Sequence, residues 1–218
     1  MMRCRWADPR SDLYVAYHDH EWGQPEHDDR KLFEMLILEG FQAGLSWLTI
    51  LNKREAFRTA FDYFEPVVVA QYGPEKVEAL MEDTGIVRNR RKILAAIQNA
   101  KVFLSIQEEF GFFDSYLWGF TGGQVILNTD DTPHTHTELS DRISKDLKRR
   151  GMNFAGTTII YSFLQATPFC RAWAWSTTTS WLASVIRGIG QSPKTITRSH
   201  QWNLVKRTLC YILFPVLI

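Results

Sequence analysis

The chain has 218 residues, 45% of them hydrophobic and 22% charged, a balance that suits one substantial core or two small lobes. The formal net charge is +1, so no global basic field advertises nucleic acid, and any such partner must be met by a local patch. Three cysteines without secretory spacing, and an N-terminus lacking the apolar stretch of a signal peptide, argue for a reducing cytoplasm without disulfides; the most apolar tract, LCYILFPVLI, is too short for a bilayer of about 30 Å, so no membrane role is expected.

Helical periodicity dominates, and the sequence reads as an all-α fold. The opening stretch RCRWADPRSDLYVAYHDHEWG places Cys4 and His18 among Trp6, Tyr14, Tyr17 and Trp22. A cysteine and a histidine are half of a tetrahedral zinc site, yet the same pair also reads as an ordinary cysteine and a histidine hydrogen-bonded to Asp19. From Asp28, an N-cap candidate, Leu32, Met35 and Leu36 recur at helical spacing until Gly40 interrupts. Glu39 falls on that same face, where a carboxylate is costly to bury without partners. Either the helix frays at Gly40 and Glu39 reaches water, or the residue is held inside for chemistry. FQAGLSW follows at once, and a carboxylate beside the Trp47 indole is a place to hold something cationic or flat.

SWLTILNKREAF predicts the next helix, with Trp47, Ile50, Leu51 and Phe57 on its buried side. Pro74 suits the first turn of another, carrying Val77, Leu80 and Met81 to Thr84. Gly85 turns the chain, and Asn89 can cap a helix striped by Ile93, Ile97, Ala100 and Leu104. Helix, tight turn and a helix opening at Arg88, Arg90, Arg91 and Lys92 have the form of a helix-hairpin-helix near residues 75–100. In such hairpins backbone N–H groups point at a phosphate without reading sequence, although any glycine-containing corner between two helices looks similar. TGGQVILNTDDTPHTHTELS is the longest loop expected. A helix then runs from Ser140 through Ile143 and Leu147 to Arg150, is ended by Gly151, and carries a second basic patch of Lys145, Lys148, Arg149 and Arg150. TTIIYSFLQA reads as a buried helix whose β-branched start also fits a strand.

Taken together, CRW, YVAYHDHEWG, KLFEMLILEGFQAGLSW, TGIVRNRRKI and KRRGMNFAGTTIIYSFLQA resemble the 3-methyladenine DNA glycosylase I family of the helix-hairpin-helix superfamily, in order from Met2 to about Thr167. The resemblance implies an all-α helix-hairpin-helix glycosylase fold and base-excision repair: hydrolysis of the N-glycosidic bond of 3-methyladenine in double-stranded DNA, leaving an abasic site. It implies that Glu39 is the pocket carboxylate, Tyr17 a hydrogen-bonding pocket residue, and Trp6, Tyr14 and Trp47 the aromatic lining. The hairpin residues Gly85, Val87, Arg88 and Arg90 are then the DNA contacts, and Cys4 and His18 two ligands of a structural zinc. A monomer is expected. The chemistry is coherent, because methylation at N3 leaves the adenine cationic and a good leaving group, so positioning suffices. Extruding the nucleotide costs a few kcal/mol, and aromatic faces favour a cation by roughly 0.5 to 2 kcal/mol over a neutral base. The alternative is a non-catalytic helix-hairpin-helix remnant that engages duplexes without cleaving them.

After Thr167 the text changes character. In the family the other two zinc ligands come from an aspartate-aspartate-histidine stretch with a cysteine four residues after the histidine, and this chain has no such stretch. Over residues 172–187, however, the threonine codons ACN read as NAC in a frame displaced by two nucleotides, and NAC spells only Asp, His, Asn or Tyr. A choice of synonymous codons turns AWAWSTTTSWLASVIR into LGVVDDHLVACFGYP, which contains the missing pattern where Thr179 and Ala183 now stand. The expectation is a glycosylase domain over residues 1–167, a frameshift close to Thr167, and an irregular out-of-frame tail over 168–218. Zinc would be weak or absent, the N-terminal segment less firmly tied down, and activity open to impairment.

Overall fold

Side-chain caps set where the longer helices begin. Ser11, Asp28, Ser46, Asn89 and Thr137 each accept the backbone N–H three residues on, satisfying one of the orphan donors at a helix start. In a computed structural model that describes residues 4, 6–124, 126–127, 134–167 and 170–171, these caps open α1 (Asp12–His20), α2 (Asp29–Gln42), α3 (Trp47–Ala60), α6 (Arg90–Phe110) and α8 (Glu138–Arg149). Short α4 (Pro66–Val69), α5 (Pro74–Glu82), α7 (Phe113–Gly119) and α9 (Thr157–Ala166) complete the α-helices among the described residues, with one 3-10 turn at Asp62–Phe64. A two-residue parallel ladder, Ile126–Leu127 with Cys170–Arg171, is the exception to an otherwise helical fold. Apart from Cys170 and Arg171 the expected tail lies outside the described residues, as does part of the expected long loop.

Most expected helices occur where periodicity and caps put them, with two shifts of boundary. Thr137 opens α8 three residues before Ser140, which instead closes a capping box with it. At the far end Gly151, with φ +101, follows the last turn of α8. The other shift matters more: α2 does not fray at Gly40 but runs on to Gln42, with every residue from Leu32 to Gln42 buried. It lies against α3, α6, α7 and α9, so it is covered on all sides and its side chains face protein whichever way they point.

Aromatic packing joins these layers. Phe33 of α2 meets Phe103 of α6 edge to face at 5.0 Å, and Phe103 stacks on Phe113 of α7 at 4.1 Å. Phe41 packs against Phe57 and Phe61 at the α3 side. Asp29, at the start of α2, accepts the Phe113 and Asp114 backbone N–H groups at 2.8 and 2.9 Å and so fastens α7 to α2.

Candidate active site

Glu39 projects from the buried third turn of α2 and is only 5% exposed. Among the described residues no hydrogen bond or ion pair reaches its carboxyl group, so burial alone pushes its pKa up to about 8. A buried acid without a partner costs stability and is kept where a guest completes it.

The rings expected around it do converge. Tyr17 of α1 and Trp47, the first residue of α3, are buried with centroids 5.5 Å apart. Trp6 lies 5.2 Å from Tyr14, 6.1 Å from Tyr17 and 5.3 Å from Trp22, so one indole gathers the N-terminal rings. Burial raises the Tyr17 pKa well above its ordinary value, and the nearby Glu39 charge adds to this; the Arg54 charge opposes it. For Tyr14 burial again leads, the Leu48 backbone amide opposes it, and Glu39 adds to it. Both phenols therefore stay protonated and able to donate. The Trp47 Nε1–H is buried with no acceptor among the described residues, a second unmet polar group beside the carboxyl.

The segments bearing these groups are joined by ion pairs that periodicity did not reveal. Arg54 of α3 reaches Glu34 of α2 at 2.5 Å and Glu21, just after α1, at 2.6 Å; Arg58 also pairs with Glu34. The only signal in the sequence was Glu34, a second carboxylate on a helix otherwise apolar at its centre. Gly23 N–H, a few residues after Tyr17, donates to Ala166 O at the end of α9.

The hairpin differs from expectation in its details. Gly85 N–H is taken by Asp83 Oδ1 at 2.7 Å, so Gly85 offers no donor to a phosphate. Its role is space: a Cβ there would lie 2.9 Å from Ala56 Cβ of α3. Lys53 accommodates the Thr84 and Gly85 carbonyls. Backbone N–H groups of Val87, Arg88, Arg90 and Arg91 find no acceptor among the described residues, and the Arg88 side chain is exposed without an ion pair. The Arg90 side chain is engaged, bonded to both oxygens of Glu78 across the hairpin. Lys92 is buried and does not belong to the basic patch. In the second patch Arg149 and Arg150 pair with Asp146, and Arg150 also with Glu109, so two carboxylates offset two of its four positive charges.

Cys4 and His18 lie next to each other. Both are buried; the His18 Nδ1 lies 2.8 Å from Asp19 Oδ1, and its Nε2 faces Cys4, whose backbone N–H approaches to 3.4 Å. Among the described residues no set of three or more His, Cys, Asp or Glu side chains suited to a metal occurs.

A buried carboxyl group facing phenol and indole rings, beside a hairpin with open backbone donors, defines an all-α protein built to receive a flat, positively charged guest. Comparison with known proteins narrows the class. The profile of the family described as methyladenine glycosylase matches residues 6–173. DNA-3-methyladenine glycosylase 1 of Escherichia coli (strain K12) is 49% identical over 169 residues, covering 76% of this chain and 90% of that protein. A crystal structure of 3-methyladenine DNA glycosylase I, 47% identical, superposes with a TM-score of 0.73 over 77% of this chain and 93% of that one. A variant of 3-methyladenine DNA glycosylase I in complex with 3-methyladenine, 38% identical, gives 0.71 over 74% and 88%. The chain belongs to the methyladenine glycosylase family.

Proposed function

We infer that this protein is a DNA-3-methyladenine glycosylase, which extrudes the methylated nucleotide and hydrolyses its N-glycosidic bond, releasing the base and leaving an abasic site. The observation that carries the reading is Glu39, buried without a partner where Tyr14, Tyr17 and Trp47 meet. A cationic purine entering there gives the carboxyl group a charge to face, so it ionises on binding. Neutral adenine offers no such charge and leaves the burial cost unpaid. Tyr17 and the Trp47 indole N–H supply donors to the base edge, while Trp6 and Tyr14 close the aromatic wall. The base already carries positive charge, so the bond breaks without a strong general acid, and holding the nucleotide in place supplies most of the rate.

Duplex DNA is the partner proposed for the hairpin: the Val87 and Arg88 amides and the first turn of α6 face a phosphate, and the Arg88 side chain adds charge. No helix among the described residues is long and apolar enough to cross a membrane, and the reading places a monomer in the cytoplasm. For zinc, the proposal is weak or absent binding, supported by the lack of the family's C-terminal aspartate-aspartate-histidine and cysteine; one tightly bound zinc per purified chain would overturn it. Residues 168–218 are proposed to be an out-of-frame tail, and coding DNA incompatible with the alternative frame would end that idea. The function itself is tested by incubating purified protein with an alkylated duplex. Release of 3-methyladenine is expected; salt-sensitive duplex binding without release would establish the DNA-binding remnant instead.

A further inference from the structure

Lys92 stands in the sequence as one cation of a basic run, but its ammonium is turned inward. Nζ lies 2.8 Å from the Phe41 carbonyl oxygen and 2.6 Å from that of Ala43, with the Phe154 ring 6.0 Å away. Phe41 is in the last turn of α2 and Ala43 is its C-cap, and no backbone N–H among the described residues reaches either carbonyl. Lys92 is therefore what satisfies that helix end, with a positive charge placed where the dipole favours one.

The position of those two carbonyls gives the contact its meaning. Glu39 lies two residues before Phe41. After Ala43 the chain passes Gly44, at φ +80, then Leu45 and the cap residue Ser46, and delivers Trp47. One ammonium thus fixes the exit of the helix carrying the pocket carboxyl and the turn that presents the pocket indole. Lys92 is also the third residue of α6, and its own backbone N–H is held by the Asn89 cap. A single residue joins the phosphate-facing end of the hairpin to both sides of the base pocket. Burial lowers its pKa, a desolvation cost that the two carbonyl acceptors oppose by stabilising the ammonium.

We propose that Lys92 is a positioning residue for base excision, transmitting the seating of the hairpin on the duplex to the spacing of Glu39 and Trp47. This rests on the glycosylase reading above. The test compares Lys92→Met, which keeps the stem and loses the donors, with Lys92→Arg, which keeps the charge. Single-turnover excision is measured with protein saturating an alkylated duplex, alongside affinity for undamaged duplex. K92M is expected to excise about tenfold to a hundredfold more slowly at saturation, to bind undamaged duplex as the parent does, and to be partly rescued in K92R. Excision by folded K92M at the parental rate overturns the proposal. So does a fall in duplex affinity that accounts for the whole loss, because Lys92 would then be a phosphate contact. If K92M does not fold, Lys92→Gln replaces it with the same two measurements. A parent protein that releases no base would defeat the functional reading separately. Amide exchange over residues 41–49 would still decide the structural half: it is expected to speed by about tenfold in the variant, and unchanged exchange overturns it.

Discussion

At the scale of single residues Glu39 governs. Its pKa is raised to about 8 from an ordinary 4.5. Below pH 4.5 folded and unfolded chains both hold the proton; between that pH and about 8 only the folded chain does, so stability falls as pH rises through this window and levels off above it. Glu39→Gln should remove the fall and stabilise the protein at pH 8 by on the order of a few kcal/mol, read by urea unfolding at pH 5 and pH 8. Activity should move the opposite way. In the parent, kcat/KM for excision rises with pH toward about 8 as the free carboxyl group ionises, while the variant is slow and flat. Glu39 was legible in the sequence because it interrupts an apolar stripe. That it is buried was not, since periodicity cannot distinguish a helix fraying at Gly40 from one continuing to Gln42; packing on every side of α2 decides it. The inward turn of Lys92 was invisible for a related reason: a lysine in a basic run looks solvated until the carbonyls that hold it are in view.

At the scale of elements, caps were the most readable feature. Asp28 and Asn89 mark the starts of α2 and α6 as their side chains and neighbours suggested. Helix α1 was less legible because its apolar and polar residues do not separate cleanly into faces, although Ser11 caps it as Asp28 caps α2. Long-range caps of the kind Asp29 makes on α7 are likewise absent from any local pattern. Asp29→Ala leaves the Phe113 and Asp114 amides without their acceptor and should cost about 1 to 3 kcal/mol, measured as a lower urea midpoint. Asp29 lies on the first turn of α2 and Glu39 on the third, so excision per folded molecule should be unchanged.

At the scale of the whole molecule, a net charge of +1 requires the grip on DNA to be local, and ion pairing leaves Arg88 as an exposed, uncommitted cation on the hairpin. Arg88→Ala should weaken duplex binding evenly across sequences and reduce the slope of log affinity against log salt by about 1, measured by titration at several salt concentrations. Helix α3 backs both the base-holding rings and the hairpin. The hairpin rests on α3 through Gly85 and Lys53, and the Tyr17 segment is tied both to α3, by the Glu21–Arg54 pair, and to the last carbonyl of α9. Damage at that distal anchor is therefore expected to loosen the segment that carries Tyr17 while leaving the hairpin seated on α3.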